Sequence, residues 1–308
     1  MVTTELPASA PRVERPVGTV IKDTRGYTVF RVVNGTALLL VAALTLYPFI
    51  NLVAQAFSSE AFIRSGQVNL WPRGFNLTTF DIVTSDPMFW RNYGNTVVYT
   101  VVATAIAMVL TTTFAYAISK RHLKGRTVFI GIAVFTMFFN GGLIPNYVLI
   151  NTLGMKNTLW AIVIPNAISV FNLLVMKSFF ENFSTELEEA AEIDGLSTYG
   201  KLWRVVLPLS KAVIATMVLF YSVSFWNSWF SAFLYMDRAE LYPVTVYLRN
   251  LIAAATVVQG AAGSDSAAQI ASNVQAVTML LTVLPIICVY PFIQKYFVSG
   301  VMLGAVKQ

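Results

Sequence analysis

Six apolar runs, at about residues 32–57, 95–119, 127–144, 159–180, 209–236 and 274–297, approach or exceed the roughly 20 residues a helix needs to cross a hydrocarbon core. Their cores carry no charge. In lipid only segments that satisfy their own backbone hydrogen bonds survive, so these runs read as transmembrane α-helices and the chain as an all-α integral membrane protein. With 56% hydrophobic and 12% charged residues, it lies well away from soluble domains, where about 25% charged is usual. Residues 1–31 hold Pro7, Pro11 and Pro16 among five basic residues and no apolar core ending in a cleavage site, which predicts a cytoplasmic tail and not a signal peptide.

Lys and Arg favour the cytoplasmic side of short loops. With both ends inside, fifteen of the 21 basic residues fall on cytoplasmic segments, among them Lys120, Arg121, Lys124 and Arg126, and six fall outside. The topology this predicts has external loops at 58–93 and 237–273, and a short half-polar segment from Pro145 to Asn157 lying along the outer interface. The basic residues are scattered over loops and form no stripe, so nucleic acid is not a predicted partner, and membrane lipid is. One cysteine, Cys288, and one histidine, His122, are too few for a Cys/His metal cluster or a His-centred triad.

A charge inside a membrane span marks a proton relay or an ion site. Its absence argues against proton or sodium coupling and leaves the energy to another subunit. Uncharged polar groups do occur, at Asn34, Asn51, Asn95, Asn166, Asn172, Asn227, Ser222, Ser224 and Ser228. Such groups serve either as hydrogen bonds between helices or as the wall of a hydrated path. Phe225-Trp226-Asn227-Ser228-Trp229-Phe230 sets amides and hydroxyls beside rings, a mixture that suits sugars, whose C–H faces stack while their hydroxyls bond. The same aromatics also suit an interfacial belt. Asn172, Trp226, Asn227 and Trp229 are the candidate pathway residues.

Between the fourth and fifth runs lies Thr185–Pro208, with Glu186, Glu188, Glu189, Glu192 and Asp194 inside ten residues. Thr185 and Glu188 have capping-box spacing, Ala190 and Ala191 favour helix, and Gly195 suits a left-handed cap, which predicts a helix over Glu186–Asp194. Leu187, Ala190, Ala191 and Asp194 share one flank, flat enough for close approach by a partner, with Glu188, Glu189 and Glu192 supplying charge. An amphipathic run, Tyr199 to Val206, then leads through Leu207-Pro208 into the fifth run. Gly195 to Leu202 matches a phosphate-binding loop except at its end. Leu202 cannot ligate magnesium and no strand precedes Gly195, so this is no nucleotide site.

Glu189-Ala190-Ala191, three residues, Gly195, nine residues and Val205-x-Leu207-Pro208 resembles the EAA loop of ABC importer permeases, with Val205 where isoleucine is usual. Tyr93-Gly94-Asn95-Thr96, Asn140-Gly141-Gly142, Trp226-Asn227-Ser228 and the tail from Gly300 to Lys307 are similar to the carbohydrate-uptake branch related to maltose permeases, in its subgroup for complex oligosaccharides such as aldouronates. The resemblance implies a type I importer permease with six transmembrane helices and a cytoplasmic coupling helix, in the bacterial cell membrane. It also implies a second homologous permease, two cytoplasmic ATPases that bind ATP and magnesium, and an extracytoplasmic solute-binding protein. This chain would then bind no cofactor. Glu188, Glu189, Ala190, Ala191, Asp194, Gly195, Leu207 and Pro208 would couple it to the ATPases. The rival reading is a membrane-embedded glycan or lipid transferase using the acidic stretch, which lacks metal-ligand spacing.

Overall fold

The computed structural model describes residues 25–261, 273–289 and 291, and the regular elements among them are helical. The predicted tail up to residue 24, residues 262–272 of the second external loop, most of the sixth run beyond Val289 and the tail 298–308 lie outside the described residues. Two compact units meet between Phe49 and Ile50, inside the helix Arg25–Ala56. Over residues 25–49 that helix exposes apolar side chains on every face, as a lipid-facing helix must. Thr45 hides its hydroxyl on the carbonyls of Val41 and Ala42.

The second unit is built on the helix Pro87–Ser119. Asp86 caps it through Met88 N–H (2.8 Å) and Pro87 stands where a missing N–H costs nothing, so it begins about two turns before the predicted 95. Its buried face is a stripe of small residues, Thr100, Ala103, Thr104, Ala107, Thr111 and Ala115. Lipid gives no hydrophobic drive to helix association, so close approach across small residues supplies the packing. Val170–Glu181 and Lys211–Trp226 pack on this stripe. Tyr116 and Ile118, Leu173, Met176 and Phe180, and Met217 close one core at the helix ends that follow Ala115.

Two helices, Arg25–Ala56 and Pro87–Ser119, are each long and apolar enough to cross a membrane alone. The third, fourth and fifth predicted spans are broken or bent, and the described part of the sixth is one short apolar helix, Asn273–Val289. Arg126–Phe138 and Leu143–Thr152 meet at 113°, so the helical part of the third run stops at Phe138 and not at 144. Gly142, at φ +90°, makes the turn, and its N–H bonds Asn140 Oδ1 at 3.0 Å. Trp160–Asn166 and Val170–Glu181 bend by 50° after Pro165. The fifth run is also interrupted: Lys211–Trp226 ends at Asn227, and a separate helix, Phe230–Tyr235, follows.

Tyr221 holds the Pro165 break. Its hydroxyl accepts from Ser169 N–H (3.0 Å) and bonds the Thr111 hydroxyl (2.6 Å), tying three helices at one buried point. At the opposite end, one face of the central helix grips the segment 240–244. Asn95 Nδ2 donates to the carbonyls of Glu240 (2.8 Å) and Tyr242 (3.1 Å), Tyr99 Oη to that of Leu241 (2.9 Å), and Thr96 Oγ1 accepts from Val244 N–H (2.8 Å). Nearby, Lys156 and Asn157 both reach Asp237 Oδ2 at 3.2 Å, while Asp237 N–H returns to Asn157 Oδ1 at 2.7 Å.

Replacing Tyr221 by Phe leaves the Ser169 N–H and Thr111 hydroxyl without their partner, an expected cost of about 1–3 kcal/mol, read as a lower thermal midpoint in detergent. The hydrogen bonds from Lys156 and then Asn157 hold the Asp237 carboxyl below the usual carboxylate range. With the folded value depressed, the contribution is full above the unfolded value and is lost as pH falls through the folded one. The stability gap between wild type and Asp237→Asn should therefore close only in acid, in a melt series against pH.

Candidate functional site

The acidic stretch folds into the helix Thr185–Ile193, capped at its end as its glycine predicts. Gly195 sits at φ +78°, its N–H bonds Glu192 O at 2.9 Å, and Leu196 N–H bonds Ala191 O at 3.0 Å, which is a Schellman closure. The start differs from the expected capping box. Ser184 occupies the cap position with no side-chain bond, and Thr185 is already the first helical residue. Glu188 does not turn back to the helix start, because both its carboxylate oxygens accept from Lys120 Nζ.

The two faces of this helix are therefore divided differently from the sequence expectation. Glu188 and Ala191, the latter 5% exposed, face the protein's own interior. Leu187, Glu189, Ala190 and Asp194 face outward, and Ile193 is 88% exposed. Ala191 is thus not part of the flat partner surface. Glu192 is committed too: Lys201 Nζ bonds it at 2.9 Å and holds its carboxyl below the usual range. Of the acidic residues, Glu186, Glu189 and Asp194 make no ion pair among the described residues.

Beyond Gly195 an arm runs from Thr198 to Leu209. Leu202 and Val206 are buried in the core at the central helix end, while Tyr199 and Trp203 stay exposed. Leu202–Val206 is a wide π turn, closed by Leu207 N–H on Leu202 O five residues back. Pro208 accounts for it. Its ring crowds the carbonyl of Arg204 and supplies no N–H to it, and widening the preceding turn relieves both. The arm then meets Lys211–Trp226 at 87°, the corner being the buried Ser210.

That helix walls a cavity of about 820 Å3. Asn166, Ser169, Asn172, Ser224 and Ser228 supply its polar wall, and Phe171, Phe220 and Phe225 its apolar one. No lining residue is charged. Asn172 is 6% exposed, and its amide has no hydrogen-bond partner among the described residues. A second cavity of about 640 Å3, lined by Asn140, Gly142, Asn146 and Tyr235, shares Pro165 and Asn166 with the first. The helix break is the partition between them.

Of the four expected pathway residues, only Asn172 lines the larger cavity. Trp226 is buried on another side, its indole N–H donating to Thr282 O at 3.1 Å and its ring set edge-on to Tyr93. Asn227 is exposed and bonds Val223 O, closing its own helix. Trp229 stacks under the Arg249 guanidinium, 5.0 Å from its ring centre. Ser169 and Phe171 were missed, although Pro165 in an apolar run signals a break with open backbone groups. Lys120 was missed as well, since a contact across 68 residues leaves no local pattern.

The family described as the binding-protein-dependent transport system inner membrane component matches residues 125–302. Protein LplC of Bacillus subtilis (strain 168) is 39% identical over 92% of this chain and 97% of its own length. A polygalacturonan/rhamnogalacturonan transport system permease protein, YtcP, of the same organism is 37% identical over 88% of this chain and 95% of its own. Among solved structures, a bacterial ABC transporter involved in the import of the acidic polysaccharide alginate contains a chain with a TM-score of 0.81 and 33% identity, covering 89% of this chain and 99% of that one. This chain belongs to the family of binding-protein-dependent transport system inner membrane components: it is a permease subunit, a part of a transporter and not an enzyme.

Proposed function

We propose that this permease forms part of the path by which a sugar or oligosaccharide enters the cell through alternating access, driven by ATP hydrolysis on cytoplasmic subunits that the helix Thr185–Ile193 engages. The observation that carries the reading is continuity. One unbroken stretch of chain joins the outward face of the capped helix, the arm from Thr198 and the helix Lys211–Trp226 that walls the cavity. Force applied at Glu189 has a covalent route to Ser224 and Phe220.

The chemistry of the cavity favours a saccharide. Amide and hydroxyl groups beside phenyl rings match the two surfaces of a pyranose, and the open amide of Asn172 offers both a donor and an acceptor. The transport of polygalacturonan and rhamnogalacturonan by one relative, and of alginate by the structural neighbour, supports the same class. In this reading the assembly has six spans per permease, both termini cytoplasmic, a second homologous permease, two ATPases holding ATP and magnesium, and an external solute-binding protein; this chain holds no cofactor.

The test is uptake of labelled oligosaccharide into vesicles carrying the whole assembly. Glu189→Lys reverses a charge on the outward face, and Gly195→Pro removes the left-handed cap, since proline cannot adopt positive φ. Both are expected to abolish ATP-driven uptake while leaving the permease in the membrane, and undiminished uptake by both would overturn the proposal. Asn172→Leu should lower uptake at least about tenfold, the effect of losing one well-placed polar contact worth about 1.4 kcal/mol. Trp226→Phe, which removes the bond to Thr282 O and part of the buried ring that packs on Tyr93, should lower the thermal midpoint and leave the order of preferred sugars unchanged in a competition assay.

A further inference from the structure

The chain joins the capped helix forward through the arm to Lys211–Trp226 and backward through residues 182–184 to Val170–Glu181, and the structure adds a connection across space to the central helix. Lys120 closes the central helix Pro87–Ser119, and Glu188 lies in the first turn of Thr185–Ile193. Nζ of the one bonds both carboxylate oxygens of the other. Each charge also suits its own helix, a cation at a C-terminal end and an anion at an N-terminal end. The side chains are 19% and 16% exposed, so water screens the pair less than it would a surface ion pair. Lys120 is further fixed by the ring of Tyr116, whose centre lies 4.3 Å from Nζ, and that ring packs edge-on to Phe180 in the core.

A second ion-pair group braces the same end. Arg126 bonds Glu181 and the carbonyl of Ile118 (2.8 Å), and Lys177 bonds Glu181 at 2.8 Å. These contacts tie the turn 120–126 to Val170–Glu181 and to the central helix. They do not reach Thr185–Ile193. Among the described residues, Lys120–Glu188 is the one ion pair between the end of the central helix and Thr185–Ile193.

We infer that Lys120 and Glu188 are positioning residues that pass movement of the helix Thr185–Ile193 to the central helix, so that the cavity-lining helix Lys211–Trp226 and the central helix behind it answer to the ATPase together. The inference rests on the function proposed above and concerns its coupling. With the strut gone, the arm from Thr198 still drags Lys211–Trp226, but the central helix, whose Thr111 bonds Tyr221 behind the cavity wall, keeps only the non-directional apolar packing around Leu202 and Val206 to link it to the arm and follows less closely. Hydrolysis then continues with little transport.

The readout is solute moved per ATP hydrolysed in vesicles holding the complete assembly. Lys120→Met and Glu188→Gln should each retain the co-purified ATPase and its stimulation by the binding protein, while the ratio falls at least about fivefold, the low end of coupling between two sites. Lys120→Arg and the exchanged pair K120E/E188K should recover at least about half of it, by restoring opposite charges at the same two positions. An unchanged ratio in the two single variants overturns the inference, and so does a loss that neither restoring change relieves. Should a single variant fail to assemble, the exchanged pair decides: recovery of assembly and ratio together supports the strut, and recovery of assembly without the ratio, or of neither, overturns it. Failure of the wild-type assembly to import any oligosaccharide would instead count against the proposed function.

Discussion

A peptide group left without a partner in hydrocarbon costs several kcal/mol, and that cost governs where this chain can bend. Three departures from the straight helix are each secured by a particular group. After Pro165 the freed Ser169 N–H is taken by the Tyr221 hydroxyl, itself bonded to Thr111. At the 113° turn the Gly142 N–H is taken by Asn140. Before Pro208 the backbone shifts to a five-residue closure, from Leu207 to Leu202. Without these substitutions the helices would have to run straight, and neither the cavity partition nor the arm could exist.

The central helix is consequently the fixed reference of the second unit. One end grips residues 240–244 through a polar row at Asn95, Thr96 and Tyr99, spaced so that all three share a face. Its middle is small and uncharged, which lets two neighbours approach closely. Its other end finishes in a lysine held over an aromatic ring. A single helix thus faces three environments, and its residue types change accordingly along its length.

Much of this was legible in the chain itself, and the limits follow a physical rule. Local events left local marks: the glycine cap at 195 stands where cap chemistry puts it, and a short helix, Leu143–Thr152, forms at the half-polar segment that follows the third run. The Asp86-Pro87 start was equally local and was overlooked in favour of the apolar onset at 95. Distant pairings left no mark. Helical spacing places Glu188 and Ala191 on a common face but says nothing about whether that face looks inward, and only Lys120 decides it. Trp226 shows the same limit, since an aromatic near a span end fits a belt, a sugar platform or, as found, a donor to a neighbouring carbonyl.

The right angle at Ser210 has a mechanical meaning. The twelve residues Thr198–Leu209 make an arm roughly 18 Å long at 1.5 Å per residue, set at 87° to the helix it meets. An arm fixed squarely to a shaft acts as a crank, so a sideways push on its free end becomes torque about the shaft axis and not a shove along it. A displacement of about 3 Å at the end of such an arm turns the shaft by roughly 10°, with the arm length taken from the helix rise. Turned so, the helix Lys211–Trp226 would change which of its side chains look into the cavity while its ends stay where they are.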